Sequence, residues 1–265
     1  MPFARVLSTL GCPQAGLDEA LALAEANGLD GIELRALHGS LDLPAVLAAK
    51  FGSPAALARH LGSRAGRVVA FDASLRLIGG TAEDRAEFQR LLPWAEALGV
   101  RWLRVFDGGS PAEPTAVAQA AEAVGWWRQV RGARGWAADV MVETHDSLLT
   151  AEAINRFLAA APETAILWDA HHTWRQGRED PAATWRAIAP AVAHIHVKDS
   201  VDRPGPRHPF TYALPGTGQF PMAPILSELR AGFSGALCLE WERYWDPALP
   251  DLGEALRSAA DRKWW

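Results

Sequence analysis

Cysteine is scarce in this chain. Cys12 and Cys238 are the two it has, far apart among 265 residues. They make neither a disulfide framework nor a paired-thiolate metal site. A chain of this length buries a large core without such staples, so a reducing, cytoplasmic setting is expected. A basic excess is missing as well: 26 Lys and Arg stand against 31 Asp and Glu, for a formal charge of −5. Proteins that grip phosphate backbones usually carry a basic surplus or stripe, so no nucleic-acid partner is expected. There is no run of roughly 18 apolar residues, and Met1-Pro2-Phe3-Ala4-Arg5 lacks the apolar core of a signal peptide, so no membrane partner is expected.

What is present suits a globular enzyme. Hydrophobic residues make up 49% and charged residues 22%, which is ordinary for a folded domain. Twelve tryptophans are many for this length, and most are expected to pack the core while some line a pocket. Eight short apolar runs recur along the chain: Ala4–Thr9, Gly31–Leu34, Arg67–Phe71, Trp102–Phe106, Asp139–Glu143, Ala165–Asp169, Ala193–Val197 and Ala236–Glu240. Each has the length of a buried parallel strand. Helical patterns lie between them, over Leu17–Asn27, Ala116–Arg131, Ala151–Leu158 and Leu252–Asp261. Helix starts are marked by Ser53-Pro54, by Asp180-Pro181, by Thr81 with Asp84 three residues on, and by Asp251. Gly28 reads as a helix stop.

Strands alternating with helices indicate a parallel α/β sheet. Eight repeats in one chain predict closure into a (β/α)₈ TIM barrel, which typically takes about 250 residues. The domain is expected to span residues 1–265 without a linker. Ser200–Pro221, rich in Pro and Gly, reads as a long loop after the seventh strand, of the kind that often forms a lid or binding loop. The exposed helices and the Lys263-Trp264-Trp265 end are a candidate surface for a homo-oligomer.

Active sites of such barrels lie at the C-terminal ends of the strands. Four successive runs finish with a carboxylate or an imidazole: Glu143, Asp169, His196 and Glu240. Equivalent positions on neighbouring strands converge above the barrel. Three carboxylates and one imidazole form a mainly oxygen site, suited to one Mn²⁺ or Mg²⁺ ion, with Co²⁺ or Zn²⁺ as alternatives. His194 and His196 face the same side of their strand. His196 lies nearer the C-terminal end and is the expected ligand, with His194 inside the barrel.

The stretches Val142-Glu143-Thr144-His145, Trp168-Asp169-Ala170-His171-His172, His194-Ile195-His196-Val197-Lys198-Asp199 and Leu239-Glu240-Trp241-Glu242 resemble the sugar phosphate isomerase/epimerase superfamily, the xylose isomerase-like barrels. Leu214-Pro215-Gly216-Thr217-Gly218-Gln219-Phe220 resembles that family's Gly-rich segment. The resemblance implies metal ligands at Glu143, Asp169, His196 and Glu240, and a substrate contact at His172. It departs from the epimerases six residues after the metal-binding histidine, where their arginine is replaced by Asp202, with Arg203 next to it. The endonuclease branch places histidines after early strands. Here those strands end in Phe71-Asp72 and Phe106-Asp107, which disfavours DNA repair.

The expected chemistry is an isomerase or epimerase reaction on a small sugar, ketose or keto acid through an enediolate. A metal-dependent dehydratase of a keto-polyol is the alternative, and an apurinic endonuclease-type phosphodiesterase ranks behind both. Glu143 and Glu240 are the expected proton carriers, acting as bases near the reacting carbon. His145, Lys198 and Arg203 join His172 as expected substrate contacts. For Lys198 an ion pair with Asp199 or another loop carboxylate is an equal expectation; Glu33 could reach the pocket, with an ion pair to Arg35 or another basic residue as an equal expectation.

Overall fold

A computed structural model describes residues 2–265 except 112 and 114. The strands are β1 (Ala4–Ser8), β2 (Gly31–Leu34), β3 (Val68–Ile78), β4 (Trp102–Gly108), β5 (Asp139–Glu143), β6 (Ala165–Asp169), β7 (Val192–Val197), β8 (Asp199–Val201), β9 (Thr211–Ala213) and β10 (Ala236–Leu239). Eight of them close into one barrel in the order β1-β10-β7-β6-β5-β4-β3-β2. Every pairing around the ring is parallel. The eight apolar runs are these eight strands, and the (β/α)₈ expectation holds.

The helix signals act as their chemistry requires. Ser53, Asp180 and Asp251 each accept a hydrogen bond from the backbone N–H three residues on. Thr81 and Asp84 form a reciprocal capping box. The helix that starts at Leu17 ends at Ala26, and the last runs over Leu252–Asp261. Ala116–Arg134 extends one turn beyond its expected end and stops at Gly135, whose φ of 67° suits glycine.

Three expectations need correction. Strand β3 continues past Phe71 to Ile78, with its pairing to β4 broken between Asp72 and Arg76. The segment after β7 is not a bare loop, since β8 and β9 pair antiparallel within it. Finally, Trp264 and Trp265 are buried in the chain's own core, Trp264 beside the Phe220 ring. They are therefore not free to form the surface of an oligomer.

The lower interior is apolar, built from Val6, Ala236 and Cys238 on one side and Ala70, Met141 and Leu167 on the other. Above this plug the inward positions turn polar. Both cysteines are free. Burial pushes the Cys12 thiol up to about 12 and the Cys238 thiol well above its usual range.

Candidate metal centre

Strand register assembles the site. Asp169 on β6 lies directly opposite His196 on β7, and His196 lies opposite Cys238 on β10, two residues before Glu240. Glu143 ends β5 opposite Leu167, two residues before Asp169. Alternation along each strand then turns all four toward the barrel axis. Glu143, Asp169, His196 and Glu240 are buried, and each offers one ligand atom, all within 4.8 Å of one another.

The donor set fits a divalent ion. Glu143 Oε2, Asp169 Oδ2 and His196 Nδ1 are enclosed and make no directed hydrogen bond. Two of these, Glu143 Oε2 and Asp169 Oδ2, lie beside the cations of Arg104 and Lys198, while His196 Nδ1 faces only carboxylates, an arrangement that a bound cation would complete. His196 Nδ1 sits 3.3 Å from Glu240 Oε2 and 3.6 Å from Glu143 Oε1. Its other nitrogen, Nε2, lies 2.9 Å from Glu33 Oε2. A carboxylate that takes the Nε2 proton leaves the Nδ1 lone pair facing the carboxylates. Glu33 therefore pairs with histidine and not with Arg35. The same oxygen is 2.9 Å from His194 Nε2, which keeps His194 inside the barrel as expected.

Basic groups balance the acids. Lys198 is buried; its Nζ is 2.9 Å from Asp169 Oδ2 and 2.7 Å from Glu242 Oε1, and it also contacts Glu240 Oε2. It makes no pair with Asp199. That carboxylate instead accepts backbone N–H bonds from Ser200, Gly216, Gly218 and Phe220. Burial opposes ionisation of Glu143, yet Arg104 beside it brings its carboxyl down to about 2. Burial pushes Asp169 up, with Lys198 holding it back.

Two of the donors, Glu143 and Glu240, line a small cavity together with Arg35, Arg104, Phe106, His145, His172 and Trp245. Both expected histidines are thus brought to it. His172 Nδ1 is 3.2 Å from Asp169 Oδ2, and burial with Lys198 nearby takes its ring down to about 3, neutral at physiological pH. His145 is opposite in sign. Burial works against its charge, but its hydrogen bond to Asp146 and the nearby Glu143 raise it to about 9. The two rings meet edge to face at 4.8 Å. His171 turns away and bonds Ser200 Oγ.

Arg203 is exposed on the β8–β9 hairpin and is not among the residues around the cavity. Two other arginines are. Arg104 Nε is 3.1 Å from Glu143 Oε2, and its Nη2 is 3.4 Å from Asp72 Oδ2. Removing one partner of such a buried pair typically costs about 3–5 kcal/mol. Asp72 thus faces an arginine. Asp107 caps a loop: it accepts backbone N–H bonds from Asp146, Ser147 and Leu148 in the segment after β5. The sequence signal for Arg104 is its central place in an otherwise apolar strand, two residues from Phe106.

The chain covers 98% of its length against a probable 3-DHS dehydratase, AsbF, of petrobactin synthesis in Bacillus anthracis, and all of that chain, at 17% identity and a TM-score of 0.75. It is similar to the IOLI protein with a bound zinc atom at 19% identity and a TM-score of 0.73, over 98% of this chain and 96% of that one. A D-tagatose 3-epimerase-like protein matches at 13% identity and a TM-score of 0.69, over 98% and 96%. At these identities the likeness is one of fold. No curated protein sequence matches the chain. The family model described as xylose isomerase-like TIM barrel matches residues 21–262, nearly the whole chain, and the protein belongs to that family.

Proposed function

We propose that this chain is a divalent-metal-dependent isomerase or epimerase that moves a proton beside the carbonyl of a small sugar, ketose or keto acid, through an enediolate. The observation that supports the reading is the buried cluster of Glu143, Asp169, His196 and Glu240, whose donor atoms lie within 4.8 Å of one another and two of whose members, Glu143 and Glu240, line a cavity. Three carboxylates and an imidazole suit Mn²⁺ or Mg²⁺ best, and Co²⁺ or Zn²⁺ also fit. When bound, such an ion supplies Lewis acidity to carbonyl and hydroxyl oxygens.

The chain's own residues supply the rest. Glu143 and Glu240 reach the cavity from the ends of β5 and β10, and their carboxylate oxygens take and return the proton. Arg104 holds Glu143 ionised, and Lys198 favours the ionised form of Glu240. His172, neutral, accepts from a substrate hydroxyl, while His145 donates to one. A small molecule, and no nucleic acid, is the partner this cavity suits. The charged His145 also favours a second reading. The same proton abstraction followed by protonation of a departing hydroxyl is a dehydration, and AsbF is described as a probable dehydratase.

Wild type loaded with Mn²⁺ is to be assayed on ketoses, keto acids and inososes, following product mass and solvent deuterium uptake. Unchanged mass with deuterium at the reacting carbon is the isomerase outcome, and loss of water is the dehydratase outcome. Glu143→Gln and Glu240→Gln should each lose about 10²-fold or more in turnover. Normal turnover by both, with metal content verified, overturns the assignment.

A further inference from the structure

Among the described residues of the cavity wall, Arg35 is the basic group whose charge meets no anion in direct contact. Arg104 is committed to Glu143, to Asp72 and to the Ala73 carbonyl at 3.0 Å. Lys198 is committed to three carboxylates. Arg35 is only 4% exposed, and its guanidinium bonds through Nη1 alone, to Ser74 Oγ at 3.1 Å and the Asp72 carbonyl at 3.5 Å. Among the described residues its Nε and Nη2 have no acceptor, and it forms no ion pair. A guanidinium with one edge free of protein acceptors in a cavity wall is suited to receive an anion there. Burial, with Arg104 close by, draws Arg35 down to about 10, so it stays charged at neutral pH. It faces the same cavity as Glu143 and Glu240, with its cation 6.0 Å from the Phe106 ring centre.

We propose that Arg35 is the docking point for a substrate carboxylate, so that the substrate is a polyhydroxylated carbonyl compound bearing an acid group. The planar fork of an arginine matches a carboxylate in a bidentate pair. A single uncommitted positive charge balances a monoanion, whereas a phosphate dianion would need a second. The assignment rests on the cavity being the reactive site proposed above, and it is tested without reference to turnover.

Calorimetric titrations of the metal-free and Mn²⁺-loaded protein compare D-gluconate, D-glucitol and D-glucitol 6-phosphate, which share a carbon chain and differ in charge. The expected result is a preference for gluconate over glucitol of about tenfold or more, with the phosphate no better than gluconate. Arg35→Met should reduce that preference to less than about twofold, and Arg35→Lys should keep part of it. Equal binding of gluconate and glucitol by wild type overturns the proposal even if the variants do not fold. So does a preference that survives in folded Arg35→Met, or a stronger preference for the phosphate. Mn²⁺ binding, titrated separately, reports on the metal-enzyme reading: its absence would sink that reading while leaving the carboxylate preference to be judged on the metal-free protein.

Discussion

At Glu33 one carboxylate oxygen serves two histidines, each 2.9 Å away. The sequence marks Glu33 only as a strand-end acid, because its partners lie on β7, far along the chain but close across the barrel. The cluster of Glu143, Asp169, His196 and Glu240 was legible because each stands at or beside the C-terminal end of an apolar run. The residues that set their charge were not. Arg104 hides inside an apolar run, and the role of Arg35 depends on which neighbours it lacks. Arg203 carried a motif-based expectation, yet it sits at the surface of a hairpin whose geometry no motif encodes. If Glu33 orients His196, Glu33→Gln should weaken Mn²⁺ binding by about 10–100-fold. Calorimetry on the folded variant measures this, and unchanged affinity would show that the imidazole needs no such support.

Among elements, the β8–β9 hairpin is the one the sequence obscures. Its strands are three residues each and lie in Pro- and Gly-rich sequence, so neither an apolar run nor an alternation announces them. Asp199 holds the returning segment by collecting N–H groups from Gly216, Gly218 and Phe220. Glycine at 218 follows from that closeness, since a β-carbon there would stand 2.2 Å from Asp199 Oδ1. The family's Gly-rich segment thus has a local reason in this chain: backbone must approach a carboxylate. Asp199→Ala leaves those donors without an acceptor and should cost about 1–3 kcal/mol or more, with Asp199→Asn milder. Urea unfolding gives the energy, and limited proteolysis of residues 200–221 should quicken. A variant with wild-type stability and cleavage would deny Asp199 this role.

For the whole molecule, the barrel was legible because its parallel strands are buried on both faces and so read as continuous apolar runs. Closure of β1 onto β10 brings the two ends of that pattern together and completes the ring around the acids. The carboxylates of Glu33, Asp72, Glu143, Asp169 and Glu240 are buried in the barrel with the cations of Arg35, Arg104 and Lys198 among them. A ligand that binds only the folded state stabilises it by about 2.7 kcal/mol at a hundredfold excess over its Kd. For a chain of this size, saturating Mn²⁺ should therefore raise Tm by about 5–10 °C, and a chelator should reverse the shift. No shift in a thermal scan would contradict a native metal site. The apolar plug of Val6, Ala70, Met141, Leu167, Ala236 and Cys238 closes the barrel beneath these acids. Under the proposed function, product would leave on the side by which substrate enters, so departure and arrival would compete for the same path.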